Sequence, residues 1–232
     1  MPERYTITAS SEQLEKAFQI EVSDLYLPKY NAGPAQLLPV ITSSGIGGLS
    51  YFYWGTIPGW SNNKSISKKL LTAPADLILE KEGYKKAFLS KRCIIPADGY
   101  YAWKQVGKKT KIPYRVVLGS QSLFSFAGIW EEFEDEKDET HHIFRIVTVT
   151  ANNLLNDLDD SMPLILEKDQ YKKWLQMDSK TEDLVAMFKT YPEDKMFKYA
   201  VSSKLENTNY NDPDLIEKVT PMDQHGNYSL FG

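Results

Sequence analysis

Polar and apolar residues alternate over residues 4–8, with Tyr5 and Ile7 on one side and Thr6 and Thr8 on the other. That period of two predicts a strand with one buried face. Ser10 and Gln13 have the spacing of a capping box, and Leu14, Ala17 and Phe18 then share one face of a helix. Residues 37–42 and 49–54 predict strands parted by a Ser/Gly turn at 43–48. The polar, basic stretch 61–69 has no clear period and predicts a loop, and 84–89 predicts a short helix. Short strands are predicted at 93–95, 100–104, 114–118, 123–127 and 145–150, with turn signals between them. Helices are predicted over 152–158, 168–176 and 181–189, the last capped by Thr181, and a final strand over 199–202. Residues 131–139 are acidic and, with His141 and His142, predict a solvated hairpin loop. Strand runs with helices at their flanks, without regular alternation, predict an α+β fold on a curved, mostly antiparallel sheet or barrel. No internal repeat and no linker cuts the chain in two, and its length leaves one or two domains open.

Composition narrows the partners more than the fold. The chain has 232 residues and a net charge of −4, so it has no global basic signature. Any nucleic-acid contact must therefore be a local groove. A single cysteine, Cys93, cannot form an internal disulfide, which fits a reducing compartment. Lying between Arg92 and Ile94-Ile95, it reads as a small buried side chain. Residues 1–13 lack a signal-peptide core and no run approaches about 18 apolar residues, so a cytoplasmic location without membrane association is expected. No phosphate loop, dinucleotide fingerprint or metal-spaced Cys/His set is present; neither a cofactor nor a metal is expected. Trp54, Trp60, Trp103 and Trp130 lie near turns and either pack or offer a stacking surface for unpaired bases. Arg4, Lys64, Lys68 and Lys69 are the candidate phosphate contacts. Trp60 is the foremost stacking candidate, because Gly59-Trp60 leads into the basic loop; Trp60→Ala is expected to cost on the order of 1–3 kcal/mol of binding.

A set of landmarks recurs in order: Arg4-Tyr5, Tyr30-Asn31 with Pro34, Trp54-Gly55 with Pro58-Gly59-Trp60, and Ala73 within 72–76. Pro96-Ala97-Asp98-Gly99, Trp103-Lys104, Thr150-Ala151, Met162-Pro163 and Val201-Ser202 continue it. Over roughly residues 1–220 the chain resembles the SRAP family of SOS response-associated peptidase-like, abasic-site processing proteins. The resemblance implies a single α+β domain over residues 1–232, about 221–232 being a tail, with a positively charged groove for single-stranded DNA, and an abasic-site crosslinking activity with proposed peptidase or lyase action. Family members expose an N-terminal cysteine after loss of the initiator methionine. Its amine and thiol capture the aldehyde of an abasic site as a thiazolidine, while an Asn, a Glu and a His manage proton transfers.

At each of these positions the chain departs from the family. Pro2 stands at the cysteine, Thr72 at the Asn, Ala102 at the Glu and Asp159 at the His, and Pro74 replaces an Arg. Without a thiol the thiazolidine cannot close. The replacement of Glu by Ala removes a proton carrier, and the replacement of His by Asp exchanges a group titrating near neutrality for an anion. The resemblance carries DNA contact to Arg4, Asn31, Pro34, Trp60, Lys68, Lys69 and Thr150. Three functions follow. The first is a monomer that binds single-stranded or abasic DNA with its crosslinking chemistry lost or reduced. The second is a lyase in which Pro2, freed of Met1, forms an iminium with the aldehyde; with a generic α-amino pKa, roughly a tenth of the amine is neutral at pH 7. The third is a scaffold reused for a protein or small ligand.

Overall fold

The computed structural model describes residues 3–43, 48–56, 71–108, 110–120, 122–134 and 138–221. In chain order the strands are β1 (Arg4–Ile7), β2 (Lys29–Ala32), β3 (Leu37–Thr42), β4 (Ser50–Trp54), β5 (Thr72–Pro74), β6 (Arg92–Ala97), β7 (Gly99–Gln105), β8 (Lys111–Leu118), β9 (Phe124–Glu134), β10 (Thr140–Thr150), β11 (Ser161–Pro163), β12 (Ile165–Leu166) and β13 (Met196–Ala200). The helices are α1 (Ser11–Phe18), α2 (Glu82–Ser90), α3 (Gln170–Leu175) and α4 (Thr181–Val185). The fold is α+β, as the sequence pattern implies.

Five strands in the order β13-β8-β7-β1-β2 form an antiparallel sheet. A second sheet closes on itself through β10-β4-β3-β6-β9 and back to β10, with β5 and β11 added to β10 and β12 to β9. Its β10 pairings to β4 and β5 are parallel. Closure removes free edges that would otherwise invite pairing with other chains. One apolar cluster spans both sheets: Tyr5 and Ile7 from β1 meet Leu38, Val40, Trp54, Ile95, Phe126 and Phe144. Each such side chain contributes about 1.5–3 kcal/mol when fully buried.

The alternation over residues 4–8 does what it predicts. Tyr5 and Ile7 are wholly buried in the shared core, while Thr6 turns to the other face of the sheet and donates to Asp98. The capping box is formed: Ser10 Oγ accepts from Gln13 N–H at 3.3 Å, and the Gln13 side chain accepts from Ser10 N–H at 2.8 Å. On the far flank, α2, α3 and α4 lay Phe88, Trp174 and Leu184 against Ile94, Ile129 and Val147. Arg92, buried and without a carboxylate, donates to the carbonyls of Phe88, Trp174 and Gln176, so its charge sits at the C-terminal ends of α2 and α3. Those ends carry unsatisfied carbonyls and the negative pole of the helix dipole. Cys93 is fully buried beside it, and burial pushes its thiol pKa far up.

Four sequence expectations need correction. Residues 131–134 and 141–142 are not loop: β9 and β10 pair from Thr140↔Glu134 to Ile146↔Gly128. Glu131 pairs with Arg145, and His142 stacks on Phe52 at 4.9 Å, so cross-strand partners outweigh local polarity. Residues 152–158 form successive turns and no helix. This stretch holds Asn152, Asn153, Asn156 and Asp157, whose side chains compete for backbone hydrogen bonds and favour turns. The last long helix ends at Val185, with Lys180 and not Thr181 at its N-cap. The final strand covers Met196–Ala200, earlier than expected.

Candidate functional site at the amino end of the sheet

Where β1 begins, the five-stranded sheet opens into a cavity of about 450 Å³ lined by Glu3, Arg4, Pro34, Trp103, Gln105, Lys111, Leu158, Asp159 and Glu206. Topology explains the meeting. Arg4 on β1 lies opposite Tyr101 on β7, which puts Trp103 two residues further along the same neighbouring strand. Residues 158–159 follow the turns that leave β10, and those turns are tied down by Asp157. Its carboxylate meets Lys104 of β7 at 2.9 Å and also Lys198 of β13, whose ammonium donates to the Leu154 carbonyl at 2.7 Å.

Gly33, next to the Pro34 landmark, lies under a side chain. Arg4 lies so closely over Gly33 that a Cβ there would stand 2.0 Å from Arg4 Nη1. Burial lowers the Arg4 pKa, and neighbouring Glu3 partly restores it. Asp159 Oδ1 accepts from Ser161 N–H and Oγ, both at 3.1 Å. Burial opposes its ionisation, yet hydrogen bonding and positive charge from the chain's amino terminus, with the two Ser161 donors, hold the carboxyl below the usual Asp range. Counted by sign, the lining has three carboxylates, Glu3, Asp159 and Glu206, against two cations, Arg4 and Lys111.

Of the residues singled out in the sequence, Arg4, Pro34, Trp103 and Asp159 come together here. Thr72 and Ala102 are buried and do not line the cavity. Thr72 pairs with Ile146 along β10, and Thr150, at the end of that strand, pairs with Ser161. Thus the 72–74 segment, Thr150 and the 159–161 segment are gathered around the last half of one strand. Asn31 has a bracing role: its side chain is buried and Nδ2 donates to the carbonyls of Leu205, Asn207 and Tyr210 at 3.2, 3.1 and 2.9 Å. Trp54 is fully buried, its indole donating to the Leu71 carbonyl at 3.0 Å, so it packs the core and cannot stack on a base. Trp130 is partly covered by Lys91, 4.8 Å over its ring. Pro2, Trp60, Lys64, Lys68 and Lys69 lie outside the described residues.

Sequence reasoning missed Glu3, Gln105, Lys111 and Glu206, which only the sheet register brings to the cavity. It also missed Tyr100. Its hydroxyl is buried without a hydrogen-bond partner among the described residues. Burial and then the charge of Asp159 push its pKa up, so it stays protonated. Its place two residues before Ala102 on β7 was the available signal. Among the described residues no group of three or more His, Cys, Asp or Glu side chains could hold a metal ion, and no helix is long and apolar enough to cross a membrane.

A barrel joined to an antiparallel sheet, with a cavity at the chain's amino end, defines the class, and comparison supplies the family. A family model described as SOS response associated peptidase (SRAP) matches residues 1–208. The chain belongs to the SRAP family. It is 36% identical over 219 residues to the abasic site processing protein YoqW of Bacillus subtilis, covering 92% of this chain and 98% of YoqW. It is 34% identical over 224 residues to YoaM of the same organism, also an abasic site processing protein, covering 94% and 99%. A crystal structure of a protein from Bacteroides thetaiotaomicron superposes with a TM-score of 0.82 at 26% identity, covering 94% of this chain and 99% of that one.

Proposed function

We propose that this chain is a monomeric SRAP protein of the abasic-site response that binds single-stranded or abasic DNA reversibly, with the family's durable crosslinking lost or reduced. The observation that carries this reading is the pairing of an open cavity with inert family positions. By the family resemblance, the methyl of Ala102 stands at a carboxylate position and the hydroxyl of Thr72 at an amide position, and Pro2 has no thiol to close a ring. Abasic-site processing by YoqW and YoaM supports DNA as the ligand. Within the cavity, Trp103 supplies a face for a base, and Arg4 and Lys111 attract phosphate. Asp159 repels phosphate, so the strand runs on the Arg4–Lys111 side.

The test is binding of a fluorescent oligothymidylate, intact or carrying one abasic site. Affinity should fall steeply with salt, and no adduct should survive denaturation. A stable adduct would show that crosslinking persists, whereas no binding even at low salt would leave a scaffold without a DNA role.

A second reading is favoured by Asp159, whose carboxyl is held below the usual Asp range in part by the charge of the amino terminus. An anion there steadies a cationic iminium. In this reaction the Pro2 amine adds to the aldehyde and water leaves. Loss of the α-proton then expels the 3′-phosphate, and hydrolysis returns the amine. Borohydride trapping of an abasic oligonucleotide should yield a covalent product that an added N-terminal residue abolishes. Intact mass showing Met1 retained would eliminate this route.

A further inference from the structure

At the opposite end of the same sheet lies a larger cleft, about 820 Å³, within the range of small-molecule sites. Its floor is the outer face of β8 and β13. Tyr199 stands opposite Arg115 and Phe197 opposite Val117 in the strand register. The Phe197 and Tyr199 rings are 6.3 Å apart and tilted by 30°. Tyr199 is fixed in place, accepting from Arg115 Nη1 at 2.8 Å and donating to the Ile216 carbonyl at 3.0 Å. Walls come from α1 and from Ser122, Leu123, Lys168, Ile216 and Lys218.

The charge of this cleft is one-sided. Its lining contains one acid, Asp98, which accepts from Thr8 Oγ1 and Arg115 at 2.8 Å each and from Thr6, so its charge is consumed inside the wall. Lys16, Lys168 and Lys218 also line the cleft, and none of the three has an ion pair among the described residues. Glu167, adjacent to Lys168, faces Lys195 at 3.7 Å. Three ammoniums without an ion pair among the described residues, over an aromatic and aliphatic floor, match an anion attached to a flat ring.

We propose that this cleft is a second ligand site, distinct from the amino-end cavity, that takes a nucleoside phosphate. The base lies against Phe197 and Tyr199 and the phosphate is drawn by Lys16, Lys168 and Lys218. Phosphate alone would leave the floor unused; a nucleoside alone would leave the cations unused. The same chemistry is offered by a free nucleotide and by one unit of a strand.

Calorimetric titration with thymidine 5′-monophosphate at low salt tests the proposal, with inorganic phosphate and thymidine as single-part controls. The nucleotide should bind more tightly than either part. The triple variant Lys16→Glu, Lys168→Glu, Lys218→Glu should weaken it at least tenfold with an unchanged melting temperature. A control reversing the exposed Lys85, Lys172 and Lys189 should not. Phe197→Leu should weaken the nucleotide and leave inorganic phosphate unaffected. If the cleft triple variant also weakens an oligothymidylate, the source is a strand; if only the mononucleotide suffers, it is a free nucleotide. No heat with thymidine monophosphate, or equal weakening by the cleft and control triples, would overturn the assignment.

Discussion

The two ends of the five-stranded sheet handle charge in opposite ways. At the amino end, Glu3, Asp159 and Glu206 share a cavity with Arg4 and Lys111, so acids outnumber bases and both signs face the opening. At the other end, Asp98 is spent on Arg115 and two threonines, and the groups left facing the cleft are lysines. A chain with a net charge of −4 thereby presents a locally positive surface where its overall composition would not suggest one. The difference separates two uses of a carboxylate. Asp98 builds the wall, whereas Asp159 lines the opening.

The most damaging test of this contrast is Asp98→Asn. Breaking a buried pair leaves the Arg115 guanidinium uncompensated, so stability measured by urea unfolding should fall by about 3–5 kcal/mol. A loss below about 1 kcal/mol would mean that the wall does not depend on the pair. Next, Trp103→Ala should weaken single-stranded oligonucleotide binding by about 1–3 kcal/mol in an anisotropy titration, with a smaller change in melting temperature. No change in affinity would reduce Trp103 to packing. Tyr26→Phe sharpens the contrast by loosening the chain that joins the two ends. The hydroxyl donates to the carbonyls of Ile7 and Ala9 at 3.2 and 2.8 Å, and its removal should cost about 0.5–1.5 kcal/mol of stability.

The smallest effect is expected from Asp159→Asn, which should raise oligonucleotide affinity by up to about 1 kcal/mol at low salt and less as salt is added. The folded-state pKa of Asp159 is depressed. Its contribution to stability is therefore fully present above the unfolded Asp value, near 3.9, and disappears as pH falls through the lower folded value. The stability difference between wild type and Asp159→Asn should shrink in acid, and shrink again as the amino terminus loses its charge at about pH 8. A difference that stayed level in acid would place another titrating group in control.

Local signals were legible where local physics decides. Alternation located β1, and the Ser10–Gln13 spacing located the start of α1. The order of landmarks pointed to the family, and two glycines in or beside them lie against arginine side chains. Gly33 makes room for Arg4; Gly99 does the same for Arg115, whose Nε would stand 2.8 Å from a Cβ there. What depends on distant pairing was not legible. Acidic residues 131–134 looked like loop because the partners that rescue them, on β10, are set by register. Asn31 looked like a ligand contact, but the carbonyls it holds lie more than 170 residues along the chain. The lysines of the far cleft come from α1, the 167–169 segment and the C-terminal region, and no sequence window contains them together.

Strand β10 has partners on both edges: β9 and β11 along one, β4 and β5 along the other. The barrel consequently cannot close until residues 140–150 have been made, and during synthesis the earlier strands must wait with unpaired edges. Non-local closure of this kind makes folding slow and exposes the nascent chain to aggregation. Cells producing this protein faster than β10 can emerge and dock should accumulate it as insoluble material, and slower synthesis at lower temperature should recover it.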